Sequence, residues 1–150
     1  MSDIILLDSG PLGLVTNPRA TQENLECNVW MQSRLQQGFL VLVPAIADYE
    51  VRRELLRAGK TRGLARLDSL KMVGGYAPLT SEALLQAAEF WAQARQMGRP
   101  TASEQALDGD VILCAQAAVL TAQGHRVIVA TTNVKHLDLF CDARLWKDIA

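Results

Sequence analysis

A chain of 150 residues, 49% hydrophobic and 21% charged with a formal net charge of −1, has the length and balance of a single globular domain spanning residues 1–150. That composition excludes a disordered or globally basic protein, and the longest apolar stretches, such as FLVLVPAIA from Phe39, are too short to cross a bilayer as a helix, so no membrane span is expected. The opening MSDII lacks the basic region and cleavage site of a signal peptide, and Cys27, Cys114 and Cys141 have no CxxC spacing, which points to buried, reduced thiols and a cytoplasmic location.

Ile4 to Leu7 form an apolar run with the pattern of a strand buried on both faces. Ser9, Gly10 and Pro11 then signal a tight turn. From Thr21, a plausible N-cap, a helix is predicted to Gly38, with Leu25, Val29 and Leu35 on its inner side. Phe39 to Val43 repeat the buried-strand pattern, and Pro44 suits the first turn of the next helix. That helix runs to Gly59, with Ile46, Tyr49, Leu55 and Leu56 at spacings that face them inward. A shorter helix follows over KTRGLARLDSLK, then a glycine-rich loop or brief edge strand at MVGGYAPLT. Ser81 to Met97 form a further helix stopped by Gly98, and TASE at Thr101 to Glu104 has the spacing of a capping box. The helical region it opens extends through Gln123, with Gly109 as a weak point. Arg126 to Asn133 form a third buried strand, and the last dozen residues add a small helix or edge strand. Strands alternating with helices predict an α/β fold, a mostly parallel sheet with helices on both faces.

Against this pattern three acids stand beside apolar, supposedly buried positions, where an unpaired carboxylate is costly. Asp8 ends the first strand. Glu50 lies in the second turn of a helix, and Asp110 precedes the apolar VILCAQAAVL. Each has a structural alternative: Asp8 as a helix cap, Glu50 paired with Arg53, Asp110 at the positive end of a helix restarting after Gly109. Together, at element ends and without any histidine or cysteine cluster, they have the ligand chemistry of Mg²⁺ or Mn²⁺. Seven of the fifteen basic residues, among them Arg52, Arg53 and Arg57, fall between positions 52 and 71. They form either a solvated helical face, with Glu54 and Asp68 as partners, or a strip that lies along phosphates.

LLDSGPLGLV, VPAIADYEVRREL, LDGDVILCAQA and VIVATTNVKHL, in that order, resemble the successive motifs of the PIN domain found as the toxin in bacterial VapBC toxin–antitoxin modules. The resemblance covers roughly residues 3 to 141. It implies a Rossmann-like three-layer α/β/α fold with sheet order 3-2-1-4-5. It also implies a ribonuclease site at the sheet's carboxyl edge, with Asp8, Glu50 and Asp110 as metal ligands. Where many members carry a fourth Asp this chain has Asn133, which brings an oxygen but no charge, and His136 stands where an Asp is frequent three residues on. Asp108 is an auxiliary ligand candidate if the helix breaks at Gly109. Ser9, Thr131 and Thr132 are candidates to orient ligands or contact phosphate through their hydroxyls.

The expected activity is hydrolysis of phosphodiester bonds in single-stranded or looped RNA, dependent on Mg²⁺ or Mn²⁺, with Arg52, Arg53 and Arg57 along the strand. The resemblance further implies a small antitoxin protein as partner and a homodimer. The alternative is a catalytically weak PIN-like module that binds RNA or protein, with Asn133 as the sign of a degraded site. Enzymes that use a strand-end Asp-x-Asp fit worse, because position 10 is Gly10.

Overall fold

The computed structural model describes residues 2–98 and 104–150. The expected capping box at residues 101–104 falls in part on residues outside that description, as does the side chain of His136. Five parallel strands form one sheet: β1 (Asp3–Leu7), β2 (Leu40–Pro44), β3 (Tyr76–Ala77), β4 (Arg126–Thr131) and β5 (Ala143–Leu145). Their order is β3-β2-β1-β4-β5, the order the resemblance implied. Ile4 to Leu7 are the most buried run because β1 is central, with β2 on one side (Ile5 opposite Val41) and β4 on the other (Ile5 opposite Ile128).

Side-chain alternation along β1 feeds two cores. Ile5 and Leu7 pack on one face with Leu12, Trp30, Met31, Val51, Leu67 and Trp146. These come from α1 (Ser9–Thr16), α2 (Gln22–Gln36), α3 (Ala45–Arg57), α4 (Thr61–Val73) and the carboxyl-terminal segment. Ile4 and Leu6 face Leu113, Cys114 and Ala117 of α6 (Glu104–Ala122). Outside α6 lies α5 (Ser81–Gln96), whose Ala83, Ala87 and Ala94 share a core with Leu107, Val111 and Ala115, the alanines letting the two helices pack closely. No described helix is long and apolar enough to cross a membrane.

Helix starts follow their capping chemistry. Thr21 accepts from the Asn24 N–H at 3.2 Å and Thr80 from the Ala83 N–H at 3.1 Å. Several details differ from the pattern reading. Ser9, Gly10 and Pro11 open α1 rather than a turn, because Asp8 caps it and proline costs nothing where the N–H has no helical partner. Pro44 is the last residue of β2, paired with Ala77, and caps α3 from outside. Helix α6 runs through Gly109 without a break.

The inner faces of two helices also differ. Leu25 and Val29 are 53% and 69% exposed, and α2 instead buries Asn24, Cys27, Trp30 and Met31. Trp30 sets that rotation: its ring meets Trp146 edge-on at 5.7 Å and its indole N–H donates to the Ile149 carbonyl at 2.9 Å. In α3, Tyr49 and Leu56 are 58% and 61% exposed, while Ala47, Asp48 and Val51 turn inward. Asp48 can be buried because Arg52 at 2.9 Å and Lys71 at 3.4 Å neutralise it. Cys27 and Cys114 are buried as expected, and Cys141 is half-buried with its sulfur 2.8 Å from that of Cys114.

Candidate active site

The sheet order runs outward from β1 in both directions, so the crevice at the carboxyl ends of β1 and β4 is where an open α/β sheet places its ligands. Asp8 sits there, held on every side. Its N–H donates to the Ala130 carbonyl at 2.9 Å, one carboxylate oxygen accepts from the Ser9 N–H at 2.7 Å, and the other accepts from the Thr131 hydroxyl at 2.8 Å. The helix-cap reading and the site reading of Asp8 are therefore compatible: the cap is what aims the carboxylate.

Glu50 and Asp110 reach the same crevice from α3 and α6. Both are half-buried, and neither carboxylate takes a hydrogen bond or ion pair from another described residue. Burial, and after it the nearby Asp8 charge, together push the Asp110 carboxyl up to about 6. Glu50 is also raised, first by burial, then by Asp8, with Asp110 adding to it and the Arg53 guanidinium pulling the other way. Three acids from three separate elements thus share one field. As they are placed, no three His, Cys, Asp or Glu side chains among the described residues stand close enough to hold an ion.

Gly109 has a role that pattern reading missed. A Cβ built on it would lie 2.7 Å from Oε2 of Glu50, so the bare backbone of α6 is the surface on which that carboxylate rests. At Gly10 the missing Cβ leaves room for the Thr132 side chain, with Oγ1 at 2.5 Å from the Cβ position. Thr132 therefore locks α1 onto the end of β4.

The remaining candidates separate. Thr131 is buried, and its hydroxyl donates to Asp8. Its Oγ1 also accepts from the Asn133 N–H at 3.0 Å, which ties that residue to the crevice through the backbone. The Asn133 side chain itself is spent on the Lys135 N–H at 3.2 Å, capping a single 3-10 turn, Val134–His136. Asp108 is exposed and lines a different cavity of 380 Å³ beside Leu84 and Trp91, because an unbroken α6 turns it away from Asp110. Ser9 contributes its N–H to Asp8. In the basic strip, Arg52 binds Asp48 and Asp68 at 2.9 and 2.7 Å, and Arg57 binds Glu54 at 2.8 Å. Arg53 lies over the Tyr49 ring at 5.1 Å, with its charge felt by Glu50.

In kind, the donor set suits one hard divalent cation: oxygen ligands only, two of the three carboxylates free of competing partners, and the pKa values of those two raised by burial and by the Asp8 charge, which a cation would offset.

Searched against known proteins, the sequence matches no protein-family model and no curated protein. Solved structures do match. VapBC2 from Rickettsia felis, solved with a DNA fragment from its promoter, superposes with a TM-score of 0.70 at 12% identity, covering 95% of this chain and 96% of that one. The chain has the fold of the VapC PIN-domain toxins. VapBC-1 from nontypeable Haemophilus influenzae gives the same TM-score at 14% identity over 97% of this chain and 99% of that one. VapC20 from Mycobacterium tuberculosis, described as a Sarcin-Ricin loop cleaving toxin, gives 0.65 at 15% identity over 93% and 98%. Near-complete coverage on both sides means that this VapC-like fold accounts for essentially the whole chain rather than for one subdomain.

Proposed function

We propose that this VapC-like chain is a metal-dependent endoribonuclease, the toxin of a VapBC-type pair. The observation that carries the reading is the meeting of Asp8, Glu50 and Asp110 at the switch point of the sheet, where burial and the Asp8 charge raise the proton affinity of both Glu50 and Asp110. The fold likeness to VapC20, a Sarcin-Ricin loop cleaving toxin, supports RNA as the substrate, and likeness to VapBC proteins supports an antitoxin partner.

In this reading Asp8, Glu50 and Asp110 hold Mg²⁺ or Mn²⁺, which when bound supplies positive charge that acidifies water and neutralises charge developing on the phosphate. Thr131 and the Ser9 N–H fix the Asp8 carboxylate so that its oxygens do not swing away. Gly109 lets the Glu50 carboxylate rest against α6. Burial of Glu50 and Asp110 keeps the local dielectric low, which strengthens every charge interaction there.

The test is cleavage of RNA by the purified chain with Mg²⁺ or Mn²⁺. Asp8→Ala, Asp110→Asn and EDTA should each remove cleavage. Cleavage surviving all three would overturn the reading, and RNA retained without any cleavage would favour the non-catalytic binding module instead.

A further inference from the structure

Beside the three acids lies a cleft of 570 Å³ between the end of α1, the loop that follows it, and the outer half of α3. Ser9 and Glu50 form one end of it, so it opens directly onto the candidate site. Its apolar wall is Val51 and Leu55, one buried and one half-buried. Arg19, Arg57 and Lys60 stand around it. Arg57 donates from Nε and Nη2 to one oxygen of Glu54, but Arg19 and Lys60 form no ion pair among the described residues. The loop that presents Arg19 is tethered: its N–H donates to Asn17 Oδ1 at 3.0 Å, and the Asn17 carbonyl accepts from Arg66 of α4 at 3.3 Å. Gly13 borders the cleft, and a Cβ built there meets nothing within 4 Å, so this part of α1 faces open space.

An apolar wall, two free cations on a held scaffold, and an opening toward a phosphodiester-cleaving site together suit one ligand class. We propose that this cleft seats the nucleotide next to the scissile phosphate of a single-stranded RNA, with its base against Val51 and Leu55 and its phosphate at Arg19 and Lys60. The proposal rests on the ribonuclease reading and gives it a substrate subsite. It also relocates the RNA contact: Arg19 lies far from the basic strip in sequence, while Arg52, within the strip, is turned to Asp48 and Asp68. Cations that touch phosphate position the strand, and the apolar wall favours a flat base over a bare anion.

Two variants probe the cleft from opposite sides. Gly13→Leu fills it from a position where backbone angles accept any residue and helix propensity rises. Arg19→Ala combined with Lys60→Ala removes the phosphate contacts and leaves the space. The probe is adenosine 5′-monophosphate titrated into the full chain and followed by NMR, with inorganic phosphate and Mn²⁺ titrated in parallel. Both variants should bind the nucleotide about tenfold more weakly, and in titrations with single-stranded RNA the double variant should lower the slope of log affinity against log salt by about one per cation removed. Mn²⁺ affinity should stay as in the parent, and in RNA cleavage KM should rise while kcat holds. Inorganic phosphate binding as tightly as the nucleotide, or unchanged nucleotide binding in both variants, would overturn the proposal. Loss of Mn²⁺ binding and cleavage in the parent chain would instead overturn the ribonuclease reading, and the nucleotide titration would still report on the cleft.

Discussion

Replacing Asp110 by asparagine is expected to stabilise the metal-free chain while abolishing its activity. Burial and the Asp8 charge raise this carboxyl from 3.8 to about 6, and about two pH units correspond to roughly 3 kcal/mol of preference for the protonated form. Solvent screening of a half-exposed group reduces that to about 1–2 kcal/mol. The sign follows from proton counting. Between about pH 4 and pH 6 the folded chain keeps a proton that the unfolded chain has lost, so stability falls as pH rises through that window and stays low above it. Asparagine has no proton to lose. In EDTA at about pH 8 the variant should therefore melt about 2–8 °C higher than the parent, and the two should converge below about pH 4. Thermal unfolding followed by circular dichroism at a series of pH values measures this. A variant that melts at or below the parent temperature at pH 8 would refute the idea that Asp110 is held in an unfavourable charged state.

Three other perturbations test the supports of the site. Gly109→Ala should raise helix propensity by up to about 1 kcal/mol. It should nevertheless lower Mn²⁺ affinity at least about tenfold in a titration, because its Cβ would press on Oε2 of Glu50. Thr131→Val keeps the shape but strips the hydroxyl from Asp8, and a loss of about 10–100-fold in metal affinity is expected by the same titration, with about 1 kcal/mol lost in urea unfolding. Arg52→Ala should act on stability rather than on RNA. It leaves the buried Asp48 with Lys71 alone, so urea unfolding should show a loss of about 1–3 kcal/mol while the salt dependence of RNA binding is unchanged.

Asp8, Glu50 and Asp110 could be picked out before the structure because apolar runs mark buried strands and helices, and an acid at the edge of such a run needs a reason. Strand order followed from the resemblance and not from the pattern, which shows only that strands and helices alternate. Helix rotation was less visible. Leu25, Val29, Tyr49 and Leu56 have helical spacing, yet they face out because Trp30 is anchored by Ile149 and because Asp48 finds Lys71, 23 positions away. Such partners are invisible to any local window. Asp48 does not stand out among the acids in the sequence for the same reason, since its cations come partly from another helix. Glycines are read poorly from pattern: Gly109 suggests a break and instead gives Glu50 its seat, while Gly10 signals a tight turn and instead sits in α1, where it admits Thr132. The basic strip was visible as composition, but only the fold shows that Arg52 and Arg57 are already paired and that Arg19 joins Lys60 at the cleft.

The most direct measurement of the central claim is a calorimetric titration of Mn²⁺ into the metal-free chain, run beside Asp8→Ala. The parent is expected to bind one ion at the three carboxylates, with uptake that strengthens as pH rises through about 6, where Asp110 gives up its proton, and Asp8→Ala is expected to lose it. A parent chain that binds no Mn²⁺, or an Asp8→Ala chain that binds it unchanged, would contradict the claim that these acids form a metal site.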